Sequence, residues 1–245
     1  MFKIAAATLL ALGLAMPAVA EITAIRAGRV ITDAAQPARG ASTILVENGR
    51  IIEINDAAAA LPAGAKVIDL SGKTVMPGLI DAHVHLTGTP DSQFWQEAVT
   101  TDEYSVAVGL ANAATTLRAG FTTVRDLGSG RLSGFAVRDA IANGIATGPR
   151  TLVSGPAISI IGGHGDVSGY RPEVNAALAM GNTCTGAEQC AARVREASRA
   201  GVDVIKITAT GGVLSQQARG LGQHFTDAEM RAIVTTAHGL GLKVA

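Results

Sequence analysis

Between residues 22 and 74 the chain runs in short β-rich stretches separated by turns. Thr43-Ile-Leu-Val-Glu47 and Arg50-Ile-Ile-Glu-Ile54 flank Asn48-Gly49, a dipeptide that tolerates the positive φ angles of a two-residue turn and so predicts a tight hairpin. From residue 75 onward the pattern changes. Apolar runs at 75–82, 121–125, 151–154 and 202–208, with another beginning near Leu242, alternate with longer segments of helical character. Thr185-x-x-Glu188 and Thr226-x-x-Glu229 have the spacing of capping boxes, and Gly120, Gly144 and Gly201 stand where helices stop. Strand and helix in strict alternation predict an α/β fold on a parallel sheet, with four βα units and the opening of a fifth. The last residues, 241–245, are an apolar run with no turn after it, so the chain is expected to be part of a longer protein.

The first twenty residues belong to a different pattern. Lys3 is a short basic start, residues 4–14 are apolar, and Ala18-Val-Ala20 offers a small-x-small cleavage site before Glu21, as in an export signal. The apolar run is too short to span a bilayer. The mature chain is therefore expected in the periplasm or outside the cell, with no membrane association after cleavage. Export changes the reading of Cys184 and Cys190, the two cysteines of the chain. In an oxidising compartment they can close a small loop as a disulfide, or remain two buried thiols. Composition narrows the class further. With 48% hydrophobic residues and 20 basic against 20 acidic side chains, the chain can bury a large core and carries no net field. Nucleic acid is excluded as an expected partner, because no basic cluster or aromatic-basic interleaving is present.

The chemistry is concentrated at the end of one apolar run, Asp81-x-His83-x-His85. On a strand these three share a face while Ile80, Ala82 and Val84 share the other. Two imidazoles on one face suit Zn²⁺ or a similar borderline cation, and Asp81 can ligate or orient a ring. In Val202-Asp-Val-Ile-Lys-Ile-Thr208, alternation turns Ile205 and Ile207 toward the helices and Lys206 inward. An inward ammonium is costly to bury unpaired, and burial lowers its pKa. Asp126, beside Arg125 at the end of the second run, can orient a ligand or pair with that arginine.

Pro77-Gly-Leu-Ile-Asp-Ala-His-Val-His85 resembles the first-strand signature of the amidohydrolase superfamily. Gly120-Phe-Thr-Thr-Val-Arg-Asp-Leu-Gly128, Gly162-Gly-His-Gly165 and Gly201-Val-Asp-Val-Ile-Lys-Ile-Thr-Ala-Thr-Gly-Gly-Val213 together resemble its prolidase-like, imidazolonepropionase-related branch. That branch includes Xaa-Pro and Xaa-Arg dipeptidases and amidases of N-acyl amino acids. The resemblance runs from about Ile22 to Ala245. It implies a (β/α)₈ barrel, of which residues 75–245 would be the first four and a half βα units. Residues 21–74 would be the N-terminal part of a small β-sandwich, completed in the family by the C-terminal end of the chain.

The resemblance also implies two divalent metal ions, most simply zinc. His83 and His85 would bind one ion, carboxylated Lys206 would bridge to the second, and a hydroxide between them would be the nucleophile. Lys206 and His164 are thus the candidate catalytic residues, His164 through contact with substrate, with Asp81 and Asp126 behind the ligands. Two further His ligands and a proton-shuttling Asp are expected outside this sequence, so the chain alone is expected to be inactive. The substrate class is a small peptide or N-acyl amino acid, and an open sheet edge leaves room for a homo-oligomer. The plainer alternatives are a Lys206 salt bridge to Asp81 or Asp126, a solvated His164, and a truncated inactive relative. A different class, a doubly wound ligand-binding domain, would use Gly128-Ser-Gly-Arg-Leu-Ser-Gly134 as a phosphate cradle, although its spacing misses G-x-G-x-x-G.

Overall fold

The computed structural model describes residues 21–213 and 221–245; the expected export segment, residues 1–20, lies outside them. Contacts divide the chain after Pro77. In the first unit β1 (Ile22–Val30), β2 (Ser42–Glu47), β3 (Arg50–Asp56) and β4 (Lys66–Val75) form one sheet of order β3-β2-β1-β4. β1 and β2, and β2 and β3, pair antiparallel, whereas β1 and β4 pair parallel. Asn48 and Gly49 link β2 to β3 at φ 50° and 75°, the double positive angle that matches the right-handed twist of the flanking strands. Ala27, Val30 and Ile44 bury one face with Ile25, Val46, Ile54 and Val75 packed against them. Ile51, Ile52, Val67 and Ile68 stay exposed.

The second unit is mixed α/β. The run expected at 75–82 divides here: Val75 ends β4, Pro77 has no N–H to offer a ladder, and β5 resumes at Leu79–Val84. β5, β6 (Phe121–Asp126) and β7 (Arg150–Val153) pair parallel in that order. α1 (Asp102–Arg118) connects β5 to β6, and α2 (Ser133–Ala142) connects β6 to β7. Thr101 caps α1 by accepting the Tyr104 N–H at 3.2 Å, and Gly120 follows its end at φ 98°. Leu86, Ala113, Val124 and Val137 form the core between these helices and the sheet.

Beyond β7 the pairing becomes irregular. Residues 202–208 form no continuous strand, but they are bonded on both sides. The Asp203 N–H donates to Val153 O (2.8 Å), Ile158 N–H to Lys206 O (2.8 Å) and Thr208 N–H to Ile158 O (3.0 Å). On the other side Ile205 and Val244 form a parallel bridge. The gap opposite residues 154–157 contains Gly155 at φ 62° and Pro156, neither of which continues a ladder. β8 (Ser159–Ile160) and β9 (Thr183–Cys184) then pair parallel, followed by α4 (Ala187–Ala200) and α5 (Asp227–Gly239), with α3 (Pro172–Leu178) between β8 and β9. Val153, Ile158, Val194, Ile205, Phe225 and Ile233 share a second core with the Cys184–Cys190 disulfide.

The two expected capping boxes differ. Thr226 accepts the Glu229 N–H (3.3 Å) while the Glu229 carboxylate accepts the Thr226 N–H (2.8 Å), a complete box. α4 starts after Gly186 instead of at a Thr185 cap, and Glu229 reaches across from α5 to take the Gly186 N–H at 2.7 Å. Gln189 takes the Thr185 N–H at 2.6 Å. Among the described residues no helix is long and apolar enough to cross a membrane.

Candidate functional site

His83 lies on β5 and His85 one residue past its end. Their rings sit edge to face with centroids 5.3 Å apart. Both line a cavity of about 750 Å³ in the second unit, together with Lys206 from the bridged segment and His164 from the loop after β8. Four candidates scattered over more than a hundred residues of sequence thus open onto one space.

The partners of each side chain define what it can do. The His85 Nδ1 is 2.9 Å from Gly128 O. A carbonyl has no proton to give, so the ring carries a proton on Nδ1, which in the neutral imidazole leaves the lone pair on Nε2 for a ligand. Desolvation and the nearby charges of Lys206, His85 and Arg125 hold the His83 imidazole below its ordinary pKa, against a smaller opposing effect of Asp81. Burial, then the Arg125 guanidinium, lowers the Lys206 ammonium. Both shifts favour the neutral forms that bind cations. No ion pair joins Lys206 to Asp81 or Asp126 among the described residues. Arg125 spends its Nε on Ala82 O at 2.8 Å.

Asp81 does not line the cavity. Its carboxylate accepts the backbone N–H of His83 at 3.0 Å, a local turn bond that competes with reaching toward either ring. Asp126 is 1% exposed and does not pair with Arg125. Its Oδ2 accepts the Leu86 N–H at 2.9 Å and its Oδ1 the Gly128 N–H at 3.1 Å. Burial raises its pKa, and those two bonds and His85 oppose the rise.

The loop that carries His164 is fixed from two sides. Ser159 Oγ accepts the Gly165 N–H at 3.2 Å, and Asn182 Nδ2 donates to Gly165 O at 2.8 Å and to Ala157 O at 2.6 Å. Asn182 was not singled out by sequence reasoning, and Gly128 was read only as the start of a phosphate cradle, not as a partner of His85. Asp126 two residues before Gly128 was the available signal, since Asp readily accepts the N–H two positions on. The 128–134 segment makes a poor phosphate cradle: the Gly128 N–H is committed to Asp126, and the Ser129 N–H approaches Gly155 O at 3.4 Å.

These donors fit part of a divalent-metal site. Two imidazoles, one with its free nitrogen set by a hydrogen bond, offer nitrogen ligands of the kind zinc accepts, and Lys206 adds a ligand only as an oxygen donor after carboxylation. They fall short of four, and among the described residues no group of three or more His, Cys, Asp and Glu is placed to hold an ion.

Known proteins extend the picture. Residues 74–245 match the amidohydrolase family. The chain is similar to the ochratoxinase of Aspergillus niger, 31% identical over 238 residues, which cover 89% of this chain and 48% of that protein. A 90-residue part, 37% of the chain, is 44% identical to the dihydroorotase of Geobacter sulfurreducens, of which it covers 20%. Among solved structures, a Xaa-Pro dipeptidase with methionine bound in its active site superposes with a TM-score of 0.79 at 30% identity, covering 91% of this chain and 56% of that one. The chain therefore spans about half the length of these full-coverage relatives.

Proposed function

Because this chain belongs to the amidohydrolase family, we propose that the protein containing it is a metal-dependent hydrolase of carbon–nitrogen bonds. Its substrate would be the amide of a small dipeptide of the Xaa-Pro kind or of an N-acyl amino acid. The observation that carries this reading is the convergence of His83, His85, Lys206 and His164 on one cavity of about 750 Å³. That volume lies in the range of small-molecule sites. The likeness to a Xaa-Pro dipeptidase structure over 91% of the chain supports the substrate class.

In this reading β5, β6, β7 and the bonded segments 202–208 and 243–245 are the first strands of a (β/α)₈ barrel, and the N-terminal sheet is half of a β-sandwich. His83 and His85 hold one divalent ion, most simply zinc. Lys206, carried as the carbamate, reaches a second. Bound there, the ions would lower the pKa of water and polarise the substrate carbonyl. The protein's own residues do the positioning. Gly128 keeps the proton of His85 on Nδ1, burial and then Arg125 lower the Lys206 pKa and so raise the share of neutral amine that reacts with CO₂, and the Ser159 and Asn182 bonds fix the loop that carries His164. We further propose export to the periplasm or beyond, supported by the leader pattern and by the Cys184–Cys190 disulfide.

The test uses the full-length protein. Purified from the periplasm, it should start at Glu21, contain about two zinc ions per chain and hydrolyse Xaa-Pro dipeptides or N-acyl amino acids. Absence of bound metal after zinc reconstitution, with no amide turnover, would overturn the reading.

A further inference from the structure

β5 ends at Val84 and β6 at Asp126, so His85, Leu86 and Gly128 all lie beyond their strands. One carboxylate links them. Asp126 takes the N–H of Leu86, the residue after His85, on one oxygen, and the N–H of Gly128 on the other. Gly128 in turn presents its carbonyl to the His85 ring at 2.9 Å. The result is a closed circuit: ring to carbonyl, peptide to carboxylate, carboxylate back to the peptide that bears the ring. We propose that Asp126 is a positioning residue that fixes the tautomer and placement of His85 by setting the distance between the His85 main chain and the Gly128 carbonyl.

Three observations favour this over a purely structural role. Asp126 is 1% exposed, and burying a carboxylate is costly unless its oxygens are satisfied; both accept N–H bonds, and both bonds run to the two segments that define the His85 ring environment. Its neighbour Arg125 is bonded to Ala82 O instead, so Asp126 is not consumed by an ion pair. Gly128 is also tailored to the contact: a Cβ there would stand 2.9 Å from His85 Cε1 and 3.0 Å from Nδ1. The segment is thus shaped to let a carbonyl approach that ring, and the carboxylate behind it holds the approach.

The inference rests on the proposed function for its metal readout, but its tautomer readout does not. Full-length wild type, Asp126→Asn and Gly128→Ala would be compared. In the metal-free protein, ¹⁵N spectra of labelled histidine, with His85 assigned by its loss in His85→Gln, should show a single Nδ1-protonated form in wild type and a mixture in both variants. Zinc affinity by chelator competition should fall about 10- to 100-fold in Asp126→Asn. Because Asp126→Asn and Gly128→Ala break the same circuit, the double variant should lose no more than about the larger single loss. If Asp126→Asn does not fold, Asp126→Ser, smaller and still able to accept one N–H, is read by the same measurements. An unchanged His85 tautomer with zinc affinity within twofold of wild type, in a variant that is merely less heat-stable, would overturn the proposal. A wild type that takes up no zinc would remove the proposed function, while the tautomer comparison would still decide the role of Asp126.

Discussion

The N-terminal sheet and the parallel strands that follow it use the same apolar alternation but carry opposite loads. In the sheet of β1 to β4 the ladders run through with one shift in each of two pairings, and no candidate site residue falls on it. In the second unit the candidates sit where ladders stop or break. His85 is just past β5, Gly128 just past β6, and Lys206 lies in a segment bridged around Gly155 and Pro156. A continuous ladder commits every backbone group to its neighbour. Where it lapses, side chains such as Asp126 and Asn182 take over the backbone bonds and decide where the functional groups point.

The contrast can be broken most sharply by removing a candidate ligand. Lys206→Ala or His83→Ala in the full-length protein should lower kcat/KM by about two to three orders of magnitude, as expected for loss of several kcal/mol of metal stabilisation. Metal analysis and steady-state kinetics together check it, and full metal with full rate would place the chemistry elsewhere. Packing should show the next largest difference. Ile205→Ala, in the second core at 1% exposure, should cost about 2–5 kcal/mol. Ile51→Ala on the exposed face of β3, at 63% exposure, should stay within about 0.5 kcal/mol in denaturant titrations.

Smaller effects sharpen the comparison within the second unit. Replacing Cys184 and Cys190 by serine reopens a loop whose closure is worth about 2 kcal/mol in the chain-entropy account, readable as a lower unfolding midpoint. Thr226→Ala should cost about 1 kcal/mol through the lost cap of α5. Glu229 adds a pH dependence. The Thr226 and Gly186 backbone N–H bonds hold its carboxyl below the ordinary value of 4.5. A depressed folded-state pKa stabilises above the unfolded value and is lost as pH falls through the folded one. Wild type should therefore exceed Glu229→Gln in stability at neutral pH, and the gap should close below about pH 4. A gap that widens in acid would contradict the assignment.

What could be read in advance follows the reach of each interaction. The Asn48-Gly49 turn and the Thr226 cap involve residues within a few positions of each other, so their chemistry is visible in the string. The placing of His83 follows from period-two alternation on β5, and that of Lys206 from the same alternation in a segment held by isolated bridges instead of a continuous strand. The Thr185 box had the same local spacing as the Thr226 box, but Gln189 takes the Thr185 N–H that Glu188 would accept, and the Gly186 N–H goes to Glu229, 43 positions away, a partner no local rule contains. The break at residues 154–157 was marked by Gly155 and Pro156, yet its effect falls on the neighbouring segment 202–208. Asp126 lies between the two kinds. Its bond to Gly128 is local, whereas its bond to Leu86, 40 residues away, exists only once β5 and β6 are side by side.

The bond between the His85 ring and Gly128 O spans 43 residues, and the whole of α1 lies inside that span. Closing a loop of this length costs chain entropy before any contact repays it. The β2–β3 hairpin, joined by two residues, has no such delay. During synthesis both histidines therefore leave the ribosome well before the carbonyl that selects the tautomer of His85. A nascent chain arrested ahead of Gly128 would display two adjacent imidazoles with the His85 tautomer unset. Fixing the Nδ1 proton of His85 is thus expected to be a late event in folding, after β6 has docked.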